Sequence, residues 1–262
     1  MKIALTIAGS DSGGGAGIQA DLKTFAANGV YGASAITAIT AQNTQGVQGV
    51  AELESSFVAL QIRSVLEDMP VDAIKIGMLS NSSIIKAVAE VLTGYPRIPV
   101  VLDPVMVAKS GDHLLQPEAR EAMLEHLFPL ARMITPNLHE SGVIVQFKVH
   151  TIEDMKKAAL AIYEMGVSNV LIKGGHLEGD AVDLLYDGSE FTTYRTQRLT
   201  NKHTHGTGCT YSSAIAANLA KGLQLEHAVK YAKEYITGAI EHAFPVGRGI
   251  GPTNHFFKLY QK

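Results

Sequence analysis

Short apolar runs alternate with longer segments of helical period along this chain, and that alternation predicts a mostly parallel sheet wrapped by helices. Ile3-Ala4-Leu5-Thr6-Ile7-Ala8 reads as the first strand, and further strands are expected over 33–41, 73–76, 100–102, 133–134 and 170–172. These runs are apolar almost throughout, as strands buried on both faces should be. Ile18, Leu22, Phe25 and Ala26 recur at helical spacing, so a helix is expected over 18–27. Others are predicted near 55–68, 81–93, 117–127 and 151–165, with Pro117 suited to a first turn and Thr151 with Asp154 as an N-cap pair. Asp187-Gly188 between 182–186 and 190–194 signals a hairpin, and two closing helices are expected over 209–220 and 226–243. No low-complexity linker, internal repeat or charge run marks a boundary, so 1–262 reads as a single domain.

Composition narrows the class. A chain of 262 residues with 46% hydrophobic and 18% charged positions is of ordinary globular make-up. At that length it can bury roughly 70–75% of its unfolded surface without disulfides. The formal net charge is −3 and no Lys/Arg block stands out, so neither nucleic acid nor an anionic membrane is an expected partner. One cysteine allows no intrachain disulfide and fits a reducing compartment. The segment Met1 to Ala8 lacks the layout of a secretory signal. No run approaches the ~18 uncharged apolar residues of a membrane span. A cytoplasmic enzyme is the expectation, with the sequon Asn81-Ser82-Ser83 silent.

Two glycine-rich turns carry the candidate chemistry. The first, Gly9-Ser10-Asp11-Ser12-Gly13-Gly14-Gly15-Ala16-Gly17, follows a strand and opens a helix, a place where backbone can approach an anion or polar ligand. Its spacing departs from the G-x-G-x-x-G dinucleotide fingerprint, and no Walker A loop or protein-kinase motif occurs elsewhere. The second, His205-Gly206-Thr207-Gly208-Cys209-Thr210, precedes a helix of small residues. Successive N–H groups and the helix dipole there form a nest able to stabilise a phosphoryl group in flight. Cys209, in the first turn, is expected to have a lowered thiol pKa and to take a proton from a substrate hydroxyl. It also reads as a packed thiol, as a nucleophile served by His203 or His205, or as a metal ligand beside them. The flanking glycines favour anion handling.

Asp103 stands at the carboxyl end of a predicted strand, where open α/β sheets bind ligands. Asn137 and Glu140, three apart after the next strand, are hard oxygen donors suited to Mg²⁺ held partly through water and phosphate, or a helix cap with its first-turn acid. Lys173-Gly174-Gly175-His176 ends a further strand and could approach a nucleotide.

With these pieces in order, the chain closely resembles the hydroxymethylpyrimidine/phosphomethylpyrimidine kinases of thiamine synthesis, in the ribokinase-like superfamily. The matching stretches are 6–25, Thr40-Ala41-Gln42-Asn43-Thr44, Lys75-Ile76-Gly77-Met78-Leu79, 102–112, Thr135-Pro136-Asn137-Leu138, Lys173-Gly174-Gly175-His176, 204–210 and Gly249-Ile250-Gly251-Pro252. The resemblance implies a three-layer ribokinase-like α/β fold and two ATP-dependent phosphorylations. One acts on 4-amino-5-hydroxymethyl-2-methylpyrimidine and one on its monophosphate. It places Asp21 and Gln42 on the aminopyrimidine, with Met78 and Val105 flanking the ring. It assigns Gly206 and Gly208 to the anion hole, Cys209 to the base position, and Asn137, Lys173, Thr207 and Lys233 to the nucleotide. Glu140 and Asp103 would serve Mg²⁺, and a monovalent cation and a homodimer are further implications. The chain departs from the family pattern at His139, where Pro is usual, and at Tyr211, where Leu is usual. A pyridoxine/pyridoxal kinase of the same superfamily and a non-catalytic pyrimidine sensor are the alternative readings. Gln42 favours the pyrimidine, since an amide can both donate and accept.

Overall fold

The apolar runs pair into one nine-stranded sheet in the order β3-β2-β1-β4-β5-β6-β7-β8-β9. The computed structural model describes residues 1–106, 117–175, 177 and 179–259. The strands are β1 (Ile3–Asp11), β2 (Tyr31–Asn43), β3 (Gly46–Glu52), β4 (Ala73–Ile76), β5 (Val100–Leu102), β6 (Met133–Ile134), β7 (Val170–Ile172), β8 (Ala181–Tyr186) and β9 (Phe191–Thr196). From β2 through β1, β4, β5 and β6 to β7 every pairing is parallel, while β3, β8 and β9 add antiparallel edges. The helices are α1 (Gly17–Ala27), α2 (Ser55–Leu66), α3 (Ser82–Thr93), α4 (Pro117–His126), α5 (Leu138–Val145), α6 (Ile152–Glu164), α7 (Thr207–Ala220) and α8 (Leu225–Glu241).

Alternation along the strands divides the core in two. Leu5, Ile7, Ile74, Ile76, Val100, Leu102, Ile134, Val170 and Ile172 pack towards α2, α3, α4 and α6. Ala4, Ala73, Val101, Met133 and Leu171 face the other way, against α7 and α8 and Phe25 of α1. A period of two thus builds the three-layer α/β domain the sequence predicts.

The predicted elements appear within a few residues of their expected ends. The Thr151/Asp154 cap is a reciprocal capping box, and Asp187-Gly188 turns the β8–β9 hairpin with Gly188 at φ 96. The differences lie at the sheet edge and in one short helix. The edge strand β3 contains two glycines and is largely exposed, so it has no buried alternating face to betray it. The helix α5 is only eight residues long, too short for a periodic signal. Among the described residues no helix is long and apolar enough to cross a membrane.

Candidate active site

The carboxyl ends of β1, β4, β5, β6 and β7 come side by side, and the segments leaving them line a cavity of about 710 Å³ roofed by the start of α7. Ligands of open α/β sheets bind at such strand ends. Gln42, Met78, Asp103, Val105, Asn137, Glu140, Lys173, Lys233 and the whole Gly206–Cys209 turn share this one cavity, although they are spread over most of the chain.

The turn is built by glycine at two positions of different character. Gly206 caps α7 in the left-handed region at φ 77, and a Cβ there would lie 1.8 Å from the Gly15 carbonyl oxygen. Only glycine fits such a combination. Gly208 has room for a methyl, 3.4 Å from the Lys173 ammonium and 3.6 Å from Asp103, so its smallness leaves space on the cavity side. Thr207, Gly208 and Cys209 are the first three residues of α7, whose N–H groups precede any intrahelical acceptor.

The first glycine-rich loop turns its donors inward. The Asp11 carboxylate accepts from the N–H groups of Gly13, Gly15 and Ala16 at 2.8, 2.9 and 2.8 Å. His205 Nε2 meets the same carboxylate at 3.0 Å and packs where a Gly15 Cβ would otherwise be. Burial works to raise the Asp11 pKa, but His205 and the backbone donors outweigh it and hold the carboxyl below its usual range. These contacts make the loop a clasp on the Gly206 turn, and its N–H groups are already engaged.

Three lysine–aspartate pairs underlie the cavity, each including a residue that the resemblance assigned to the site. Asp21 does not reach the wall. It is fully buried, bound through both oxygens to Lys75 at 2.9 Å, and accepts from Thr6 at 2.7 Å and Ser213 at 2.6 Å. It serves as the counter-ion of Lys75, and it is not among the residues that line the cavity where the resemblance placed the pyrimidine. Asp103, which the resemblance assigned to Mg²⁺, accepts from Lys173 at 2.7 Å and from Thr135 at 3.0 Å. Lys233 is tied to Asp183 at 2.7 Å, and Asp183 also accepts from the Gly174 N–H at 3.0 Å. Burial raises Asp103's pKa, but Lys173 and Lys75 together hold it below the carboxylate range. Burial likewise disfavours the Lys173 ammonium, and Asp103 and Glu140 more than offset it.

Asn137 and Glu140 form a capping box on α5: the Asn137 side chain accepts from Glu140 N at 2.9 Å, and Glu140 accepts from Asn137 N at 2.7 Å. The cap and the site are the same residues. Burial, with Asp103 adding and Lys173 opposing, pushes the Glu140 carboxyl up to about 7. Its donor set is all oxygen, and among the described residues no three His, Cys, Asp or Glu converge to form a metal cage. That arrangement fits a divalent cation brought by a polyphosphate and keeping its waters, with Glu140 as the protein ligand.

Cys209 departs from its expectation. Its helix-start position would lower a thiol pKa, and both Lys75 and the Gly17 N–H favour the thiolate. Burial is larger, Asp21 and Asp103 reinforce it, and the thiol is pushed up to about 11. His203 Nδ1 accepts from the Gly251 N–H at 3.0 Å and His205 engages Asp11, so neither is arranged as a base for this sulfur.

Met78 and Val105 supply apolar surface to the cavity, and Gln42 also lines it, its amide oxygen accepting from Thr40 at 3.2 Å and its amide nitrogen 3.4 Å from His205 Nε2. His139 is exposed at the rim, and Tyr211 is buried in the wall, where burial and then Asp183 drive its phenol pKa well up. His176 and the stretch 107–112 lie outside the described residues. Lys75 and Asp183 escape sequence reading as site residues. Lys75 has a signal in hindsight, since a lysine inside an otherwise apolar strand demands a buried partner.

Comparison with known proteins gives a consistent set of matches. The profile of the family described as phosphomethylpyrimidine kinase matches residues 11–254. A hydroxymethylpyrimidine/phosphomethylpyrimidine kinase of Streptomyces coelicolor is 53% identical over 257 residues, covering 98% of this chain and 95% of the relative. The thiamine biosynthesis bifunctional protein ThiED of Geobacter sulfurreducens is 52% identical across 96% of this chain and 51% of its own length. The crystal structure of an ADP complex of Bacillus subtilis pyridoxal kinase superposes with a TM-score of 0.93 at 42% identity, covering 100% of each chain.

Proposed function

The chain belongs to the phosphomethylpyrimidine kinase family, and on that premise we propose that it phosphorylates 4-amino-5-hydroxymethyl-2-methylpyrimidine and then its monophosphate, with ATP and Mg²⁺, in thiamine biosynthesis. One observation carries the reading: the Gly206–Cys209 helix start, the Asn137/Glu140 box and the Gln42/Met78/Val105 wall converge on one cavity.

In this scheme the pyrimidine lies between Met78 and Val105, and Gln42 meets its ring nitrogen and amino group. The hydroxymethyl oxygen points to Cys209. It bonds to the γ-phosphorus as the bond to the bridging oxygen of the departing ADP breaks, and the hydroxyl proton passes to the Cys209 sulfur. The N–H groups of Gly208 and Cys209 stabilise the transferring group, whose charge is spread over its equatorial oxygens. Thr207 stands beside them on the nucleotide side, and Lys173 screens the phosphates from Asp103 and Glu140. Lys233 with Asp183 borders the far end of the nucleotide. Glu140, its carboxylate fixed by the Asn137 N–H, would hold a Mg²⁺ that arrives with the phosphates, and the ion would supply charge neutralisation on the nucleotide.

Product analysis with ATP, Mg²⁺ and the hydroxymethylpyrimidine tests this directly. Monophosphate appearing first and diphosphate second is expected, and no turnover of either would refute it. The likeness to the B. subtilis pyridoxal kinase supports a second reading. A kcat/KM for pyridoxal far above that for the pyrimidine would favour that substrate.

A further inference from the structure

On the face of the sheet that packs under α7, Thr6 of β1 and Lys75 of β4 both bind Asp21, beside the apolar Ala4, Ala73 and Val101. Neither Lys75 nor Asp21 has any exposed side-chain surface. Burying such a pair is costly, and replacing one with apolar residues is often neutral or stabilising. The fold nevertheless makes specific room for it. Gly77 leaves the space that its own Cβ would take, 2.7 Å from the Lys75 ammonium. Ser213, one turn beyond Cys209 on α7, donates to Asp21 at 2.6 Å, so the pair is pinned to the helix that carries the thiol. Lys75 also reaches the cavity lining alongside Cys209.

We propose that Lys75, anchored by Asp21, is a positioning residue that holds a fixed positive charge beneath Cys209 and so stabilises its thiolate during proton transfer. The proposal rests on the reading of Cys209 as the proton acceptor. Acceptance of the hydroxyl proton converts thiolate to thiol, so the thiolate must exist first. The charged groups that face the sulfur are Lys75 from β4, Asp21 from α1, Asp103 after β5 and Lys173 after β7. Lys75 favours the thiolate, while Asp21 and Asp103 oppose it. Lys75 and Asp21 therefore have opposite effects on the same sulfur, and that opposition separates a charge effect from loss of structure.

Cys209 is the only cysteine of the chain, so alkylation by iodoacetamide reports on it alone. The rate at fixed pH follows the thiolate fraction, and unfolded samples of each variant normalise reagent reactivity. Lys75→Met is expected to slow alkylation of the folded protein about tenfold or more, and Asp21→Asn to speed it. Loosened packing would speed both. A folded Lys75→Met that alkylates as fast as the parent, or an Asp21→Asn that alkylates more slowly, overturns the proposal. If Lys75→Met does not fold, Lys75→Gln takes its place, with the same slowing expected and alkylation at the parent's rate overturning the proposal. Full kcat in Cys209→Ala would sink the base reading while leaving the alkylation shifts to judge the charge effect separately.

Discussion

Gly206 and Gly208 are one residue apart in the same turn, yet the structure assigns them different reasons for being glycine. Alanine at 206 would adopt φ 77 and place its methyl 1.8 Å from the Gly15 carbonyl oxygen. The left-handed conformation costs about 1–2 kcal/mol for an L-residue, and forcing the two segments apart adds about 1–3 kcal/mol. A loss of about 2–5 kcal/mol should lower Tm by about 5–15 °C in a domain of this size. Alanine at 208 meets only ordinary contacts, 3.4 Å from Lys173 and 3.6 Å from Asp103, and gains up to about 1 kcal/mol in helix propensity. Its Tm should hold or rise. Its methyl, however, stands where the proposed scheme brings in the transferring group, and a displacement of about 1 Å can cost as much as 100-fold in rate. Scanning calorimetry paired with a coupled ADP-release assay separates the two effects. Gly206→Ala should lose stability and activity together, and Gly208→Ala activity alone, by tenfold or more. A Gly206→Ala protein melting with the parent, or a Gly208→Ala protein with full kcat, would refute the reasoning.

Cys209→Ala should lower kcat far more than it raises substrate KM. Because the thiol sits at about 11, the thiolate fraction and kcat of the parent should climb with pH through the neutral range, and the variant should lose that climb. Asp183→Asn strands the Lys233 ammonium and should cost about 3 kcal/mol in chemical denaturation, with Asp183→Asn/Lys233→Met recovering most of it. His255 is buried against Thr210 at 3.0 Å, and burial depresses its pKa to about 4 from the usual 6.5. The unfolded chain then binds more protons between those values, so stability is present above pH 6.5 and lost on acidification towards 4, by about 3 kcal/mol. Tm measured across that window should fall steeply in the parent and less in His255→Gln; parallel slopes would contradict the assignment.

What the sequence made legible follows the range of the interactions involved. Strands such as Ala73–Ile76 and Val170–Ile172 are bounded by local turn chemistry and carry apolar residues on both faces, so their ends could be read to the residue. Thr151 with Asp154 and Asn137 with Glu140 act over three positions, and their capping geometry was equally readable. Position in the cavity was a different matter. Asp21 and Lys75 are 54 apart in sequence, Asp103 and Lys173 are 70 apart, and Asp183 and Lys233 are 50 apart. No local pattern announces such pairs, and the resemblance that placed Asp21 on the pyrimidine and Lys233 on the nucleotide is silent about them. Desolvation was hidden for the same reason. A helix start lowers a thiol pKa in proportion to what one turn can supply, whereas burial of Cys209 depends on β4, α1 and the segments after β5 and β7 closing around it.

The pairing of each cavity lysine also bears on how a polyphosphate is held. A lysine bound to aspartate at 2.7 Å has much of its charge cancelled before any anion arrives, and Lys173 faces Glu140 at 4.0 Å as well. The wall between Lys173 and Lys233 is therefore close to charge-balanced. The N–H groups at the start of α7 differ in kind, because the partial positive charge of a helix terminus has no acidic side chain in its first turn to cancel it. The corresponding donors of the loop at 13–16 are consumed by Asp11. Of the two glycine-rich turns, the one at Gly206–Gly208 is therefore where the proposed scheme places the transferring phosphoryl group, with the first N–H groups of α7 as its donors.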